Sequence, residues 1–89
     1  MKWSLQFSEH ALNDLESLDK VRASQVLTKL EMYGSTENPL QFAKRLSGRL
    51  NGYFRFRIGN YRAVCKIERR NSRSILYILR VKHRRDVYE

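Results

Sequence analysis

The chain has 89 residues, enough for one small domain spanning residues 1–89 with one modest core, and its 42% hydrophobic residues exclude a disordered chain. The net charge is +9, no apolar run approaches the ~20 residues of a membrane span, and the opening MKWSLQFSEHAL lacks the apolar stretch of a secretory leader. Cys65 is the one cysteine, which excludes an internal disulfide and a cysteine-rich zinc site, so the expectation is a cytoplasmic protein with no membrane partner.

In chain order, Trp3, Leu5 and Phe7 alternate with polar neighbours and predict a first strand. Ser8 suits a helix N-cap, and Ala11, Leu12, Leu15 and Leu18 follow at helical spacing. Asp19 suits the cap of a second helix, with Val26, Leu27, Leu30 and Tyr33 along one stripe and Gly34 as its stop. The two helices predict an antiparallel hairpin. Residues 34–40 form a loop around Pro39, and residues 41–52 hold a short helical turn and then a loop.

Phe54, Phe56 and Ile58 alternate with Tyr53, Arg55 and Arg57, the pattern of a strand with one buried face. Gly59-Asn60 reads as a two-residue hairpin turn, since both residue types accept positive φ. The returning strand alternates Tyr61, Ala63, Cys65 and Ile67 with Arg62, Val64 and Lys66, which puts the small thiol of Cys65 on the apolar side. After the polar turn ERRNSR, SILYILRVK predicts a last strand. Ile75, Tyr77, Leu79 and Val81 share one of its faces, and Leu76, Ile78, Arg80 and Lys82 the other. The fold class is α+β: an N-terminal strand, a two-helix hairpin, then an antiparallel three-stranded meander, with the helices on one face.

The charge is unevenly placed. Residues 1–43 carry four basic side chains against six acidic ones, whereas residues 44–89 carry fourteen against three, eleven of the fourteen being arginine. Such asymmetry points to a polyanion, most commonly nucleic acid, and arginine's planar fork suits phosphate. The hairpin sharpens the point. A two-residue loop places Arg57 directly opposite Arg62 and Arg55 opposite Val64. Like charges opposed in a sheet destabilise it, so a fold has no need of the pair, and a bound anion would explain it. Arg55, Arg57, Arg62 and Lys66 share one face, and Arg80 and Lys82 join it from the last strand.

KRLSG (44–48), GYFRFRIGNYR (52–62) and VKHRRDVY (81–88), behind a strand and a helical hairpin, resemble the RelE/ParE toxin superfamily over essentially the whole chain. These are the toxins of bacterial and archaeal type II toxin–antitoxin pairs. Within the superfamily the chain is similar to the RelE-like mRNA interferases more than to the ParE-like gyrase inhibitors. The resemblance implies a ribosome-dependent endoribonuclease that cuts mRNA in the A site through attack of the ribose 2′-OH on the adjacent phosphate. It implies that Arg62 stabilises the developing phosphorane charge, that Arg84 binds phosphate and serves the leaving 5′-oxygen, and that Tyr88 is the general base. His83 stands where relatives often carry an acid/base histidine and is the alternative base. Arg55 and Arg57 match the basic pair on the preceding strand, and Lys44 a basic position before the loop. Lys66, Arg80 and Lys82 complete the expected phosphate-binding set. Two departures stand out: Lys82 replaces a frequent glycine, and Arg55 and Arg57 replace the lysines of one branch. Guanidinium holds its proton too tightly to share a lysine's acid/base role.

No cofactor and no metal are expected, since the basic half has no acidic cluster and the chain has two histidines. The expected partners are a cognate antitoxin with an acidic segment, the ribosome and mRNA, and operator DNA through the antitoxin complex. The alternatives are a ParE-like gyrase inhibitor without nuclease chemistry and a silent nucleic-acid-binding homologue.

Overall fold

The computed structural model describes residues 3–86. The chain runs through strand β1 (Ser4–Phe7), helices α1 (Glu9–Glu16) and α2 (Lys20–Gly34), and strands β2 (Ala43–Arg45), β3 (Phe54–Ile58), β4 (Tyr61–Arg70) and β5 (Arg73–His83). Short 3-10 turns lie at Pro39–Phe42, Gly48–Leu50 and Arg84–Asp86. The class is the expected α+β. Two features extend it. The three residues of β2 add an edge strand where a loop is predicted, and β1 pairs in parallel with β5, so that the sheet runs β1-β5-β4-β3-β2. The parallel pair joins strands that lie at opposite ends of the element order, with both helices and the rest of the meander between them in the chain.

Both helices start as their sequences dictate. The Ser8 hydroxyl accepts from the Ala11 N–H at 3.0 Å, and the Asp19 carboxylate accepts from the Arg22 N–H at 2.8 Å. Each cap stabilises its helix by ~1 kcal/mol. Gly34 is the last residue of α2, and its carbonyl accepts from the Trp3 N–H, which ties β1 to the helix end.

One face of the sheet meets the helices. Ala11 and Leu15 of α1 and Val26, Leu30 and Tyr33 of α2 pack against Phe56, Ile58, Ala63, Cys65, Leu76, Ile78 and Val81. Tyr33 stacks between Phe42 and Phe56, with ring centroids 4.8 and 4.9 Å away. Burial pushes the Cys65 thiol up to about 12, which makes it a packing group rather than a nucleophile.

The last strand differs from simple alternation. Val64 pairs with Arg80 while Cys65 pairs with Ile78, so Leu79 is the extra residue of a β-bulge. The bulge reverses the phase of the strand. Leu76 and Ile78 therefore join Val81 on the helix side, and Tyr77 joins Arg80 and Lys82 on the open side. The predicted grouping of Leu79 and Tyr77 with Val81 is corrected accordingly.

The two hairpin turns also differ in detail. At Gly59-Asn60 only Gly59 takes a positive φ, 58°, the sign pattern of a type II′ turn. At the β4–β5 connection both Asn71 (49°) and Ser72 (66°) do so, the pattern of type I′.

Candidate functional site

The sheet face turned away from the helices carries the basic residues. Arg57 lies directly opposite Arg62, as the hairpin pattern predicts, and Arg62 lies opposite Lys82. Three cations thus form one row across β3, β4 and β5, on strands ~4.8 Å apart. A second row runs Lys44, Arg55, Val64, Arg80. Arg57 is exposed, and among the described residues it makes no ion pair or side-chain hydrogen bond.

Arg62 is held by the turn that precedes it. Its Nη1 donates to the Gly59 carbonyl at 3.0 Å and to the Tyr61 carbonyl at 2.9 Å. The carbonyl between them, Asn60, accepts from the Arg84 N–H at 2.7 Å. Three successive carbonyls of one turn therefore fix both the Arg62 guanidinium and the start of the Arg84–Asp86 turn. The two arginines expected to face a phosphate are attached to the same three residues of backbone, Gly59 to Tyr61.

Two expected phosphate ligands have other partners. Arg80 makes a bidentate pair with Asp14 of α1, Nε to Oδ2 at 2.9 Å and Nη2 to Oδ1 at 3.1 Å. The same carboxylate accepts from the Val81 N–H at 2.9 Å and lies 4.0 Å from Lys82 Nζ. Burial by itself raises the Asp14 carboxyl. The Arg80 hydrogen bond, the Val81 N–H and the charges of Arg80 and Lys82 outweigh it and hold the group below its ordinary value. Asp14 stands in for a strand here: β1 ends at Phe7, and α1 satisfies the next edge groups of β5, with Ser8 donating to the Leu79 carbonyl at 2.7 Å. Lys66 pairs with Glu68 at 3.1 Å and lies over the Tyr77 ring, and Glu68 also receives Arg70 at 3.2 Å.

His83 pairs in register with Tyr61, which puts it on the helix side of the strand, across from the face of Arg62 and Lys82. Its ring meets Tyr61 edge-on at 5.5 Å. Its Nδ1 accepts from the Arg85 N–H at 3.2 Å. Tyr88 lies outside the described residues. The role of Asp14 left no mark in the sequence, because its partner stands 66 positions away.

Over residues 5–88 the sequence matches the family described as ParE toxin of type II toxin-antitoxin system, parDE. The chain belongs to this family. This type II toxin of the RelE/ParE superfamily shares its fold with solved toxins. The toxin–antitoxin complex RelBE2 of Mycobacterium tuberculosis contains a chain 27% identical to it, with 93% of this chain and 99% of that one covered at a TM-score of 0.69. The archaeal RelE–RelB complex of Pyrococcus horikoshii gives 22% identity, coverage of 98% and 100%, and a TM-score of 0.72. A doubly substituted E. coli toxin RelE bound to a peptide of the antitoxin RelB gives 23%, 93% and 84%, and 0.67. At those identities the last two show the fold alone. No curated protein matches at a significant level.

Proposed function

We propose that this toxin is a ribosome-dependent mRNA endonuclease, cutting in the A site without a cofactor. The observation that carries the reading is the row Arg57–Arg62–Lys82, with Arg84 tied to the same hairpin turn as Arg62. RNA supplies its own nucleophile. The 2′-oxygen bonds to phosphorus and the bond from phosphorus to the 5′-oxygen breaks, leaving a 2′,3′-cyclic phosphate and a 5′-hydroxyl. A base removes the 2′-OH proton, and a donor supplies one to the leaving oxygen.

In this reading Arg62, oriented by two carbonyls, stabilises charge on the non-bridging oxygens, and Arg84 binds the phosphate beside the leaving group. Arg55, Arg57, Lys44 and Lys82 hold neighbouring phosphates. Tyr88 takes the proton. His83 is the alternative base.

The test is primer extension on a reporter mRNA in a reconstituted translation reaction. Wild type should give ribosome-dependent cuts, and Arg62→Ala should lower their rate by ~10²–10³. Tyr88→Phe should do likewise; if it cuts normally, the base is assigned wrongly. Intact mRNA with wild-type toxin at every salt concentration would overturn the nuclease reading.

A second reading is favoured by the description of the matched family itself: a ParE-like inhibitor of DNA gyrase without nuclease chemistry. It predicts loss of gyrase supercoiling with mRNA left whole, and Arg62→Ala and Tyr88→Phe that stay inhibitory. In either reading the partner is an antitoxin with an acidic segment, supported by the fourteen-to-three excess of basic residues in the second half. Solved relatives were captured with RelB antitoxins. Operator DNA is reached through that complex, and the cytoplasm is the site of action. No helix among the described residues is long and apolar enough to cross a membrane.

A further inference from the structure

The open face carries more cations than it offers. Arg80 belongs to it by register, in the row Lys44, Arg55, Val64, Arg80. Yet its guanidinium turns over the β5 edge to the Asp14 carboxylate, which engages it through two nitrogens. At the far end of β4, Glu68 answers Lys66 and Arg70 in the same way. The row Arg57–Arg62–Lys82 lies at the other end of the sheet, beside the Gly59-Asn60 turn.

Asp14 has no folding task that demands a full charge on both partners. The Val81 N–H, which it accepts at 2.9 Å, would be satisfied by a neutral amide oxygen. What only the carboxylate can do is hold the Arg80 fork bidentately.

We propose that Asp14 is a positioning residue that withholds Arg80 from RNA and so confines phosphate contact to the turn end of the face. This rests on the nucleic-acid reading of that face given above. A toxin carrying +9 would otherwise bind any RNA it met along the whole sheet. Confinement gives it a short footprint and weak attraction for bulk RNA, so that productive binding depends on a strand presented in place.

Salt dependence reads the number of phosphates engaged. The logarithm of the affinity for a single strand changes by about 0.7 per contact for each logarithm of salt. The probe is a short fluorescent 2′-O-methyl oligoribonucleotide, which cannot be cut, titrated by anisotropy over a series of potassium chloride concentrations. Arg80→Gln, whose amide still satisfies Asp14, should leave the wild-type slope unchanged. Asp14→Asn should steepen it by about 0.7, and the double variant should return it to the wild-type value. If Arg80→Gln lowers the slope while Arg57→Ala and Arg62→Ala also lower it, Arg80 already touches RNA and this proposal falls alone. If Arg57→Ala and Arg62→Ala change nothing, the face does not bind RNA, and the functional reading falls with it. A folded Asp14→Asn with an unchanged slope also overturns the proposal.

Discussion

Replacing Arg57 with threonine should make the toxin more stable and less able to bind RNA. Arg57 is exposed, so the change removes no buried area, and among the described residues it breaks no ion pair or side-chain hydrogen bond. It does remove a charge set directly opposite Arg62. Opposed like charges in a sheet destabilise by ~0.2–1 kcal/mol, and threonine is at ease in a strand. For a domain of this size that gain raises the melting temperature by about 1–8 °C. The effect is electrostatic, between groups about 5 Å apart, and the Debye length falls from ~10 Å at 0.1 M salt to ~3 Å at 1 M. The gain should therefore shrink toward the small propensity term as salt rises. Thermal unfolding of wild type and Arg57→Thr, followed by circular dichroism across that range, gives the answer. A variant that melts lower than wild type at low salt, or a gain that survives 1 M salt undiminished, would refute the reasoning that the row is kept against the interest of the fold.

The Asp14–Arg80 pair makes an acid-limb prediction. The Asp14 carboxyl lies below its ordinary 3.8 in the folded state, so its contribution is fully present above that value and is lost as pH falls through the lower folded-state one. Urea midpoints should place Asp14→Asn below wild type by ~1–2 kcal/mol at neutral pH, a figure discounted for the exposure of Arg80, with the gap closing as the solution is acidified. Tyr33→Ala opens the stack between Phe42 and Phe56 and should cost about 3–4 kcal/mol in denaturant unfolding, whereas Tyr33→Phe keeps the rings and should cost far less. Cys65, buried and with its thiol at about 12, should resist an aromatic disulfide reagent in the native protein and react in step with unfolding as denaturant is added.

What the sequence made legible was local. The caps at Ser8 and Asp19 and the register that opposes Arg57 and Arg62 depend on residues three to five apart, where side-chain type decides backbone geometry. What stayed hidden was set by distant partners. ILYIL is apolar at every position, so neither phase of β5 could be preferred until the bulge at Leu79 settled it. The three residues of β2 are too few to show a period, and they owe their strand form to β3. Arg80 reads as one more cation on the face until α1 brings Asp14 to it. His83 follows Lys82 in sequence, and strand alternation alone puts it on the helix side.

The place of β1 has a bearing on how the chain comes into being. Among the described residues its one strand neighbour is β5, which begins at Arg73, so Ser4–Phe7 wait for a strand about seventy positions further along the chain. While the chain is still being synthesised, β1 has no ladder to join, and β4 lacks its longest partner. Helices and the first hairpin can form early; the closed sheet cannot. The row Arg57–Arg62–Lys82 spans three strands, so it is complete only once β5 has joined β4.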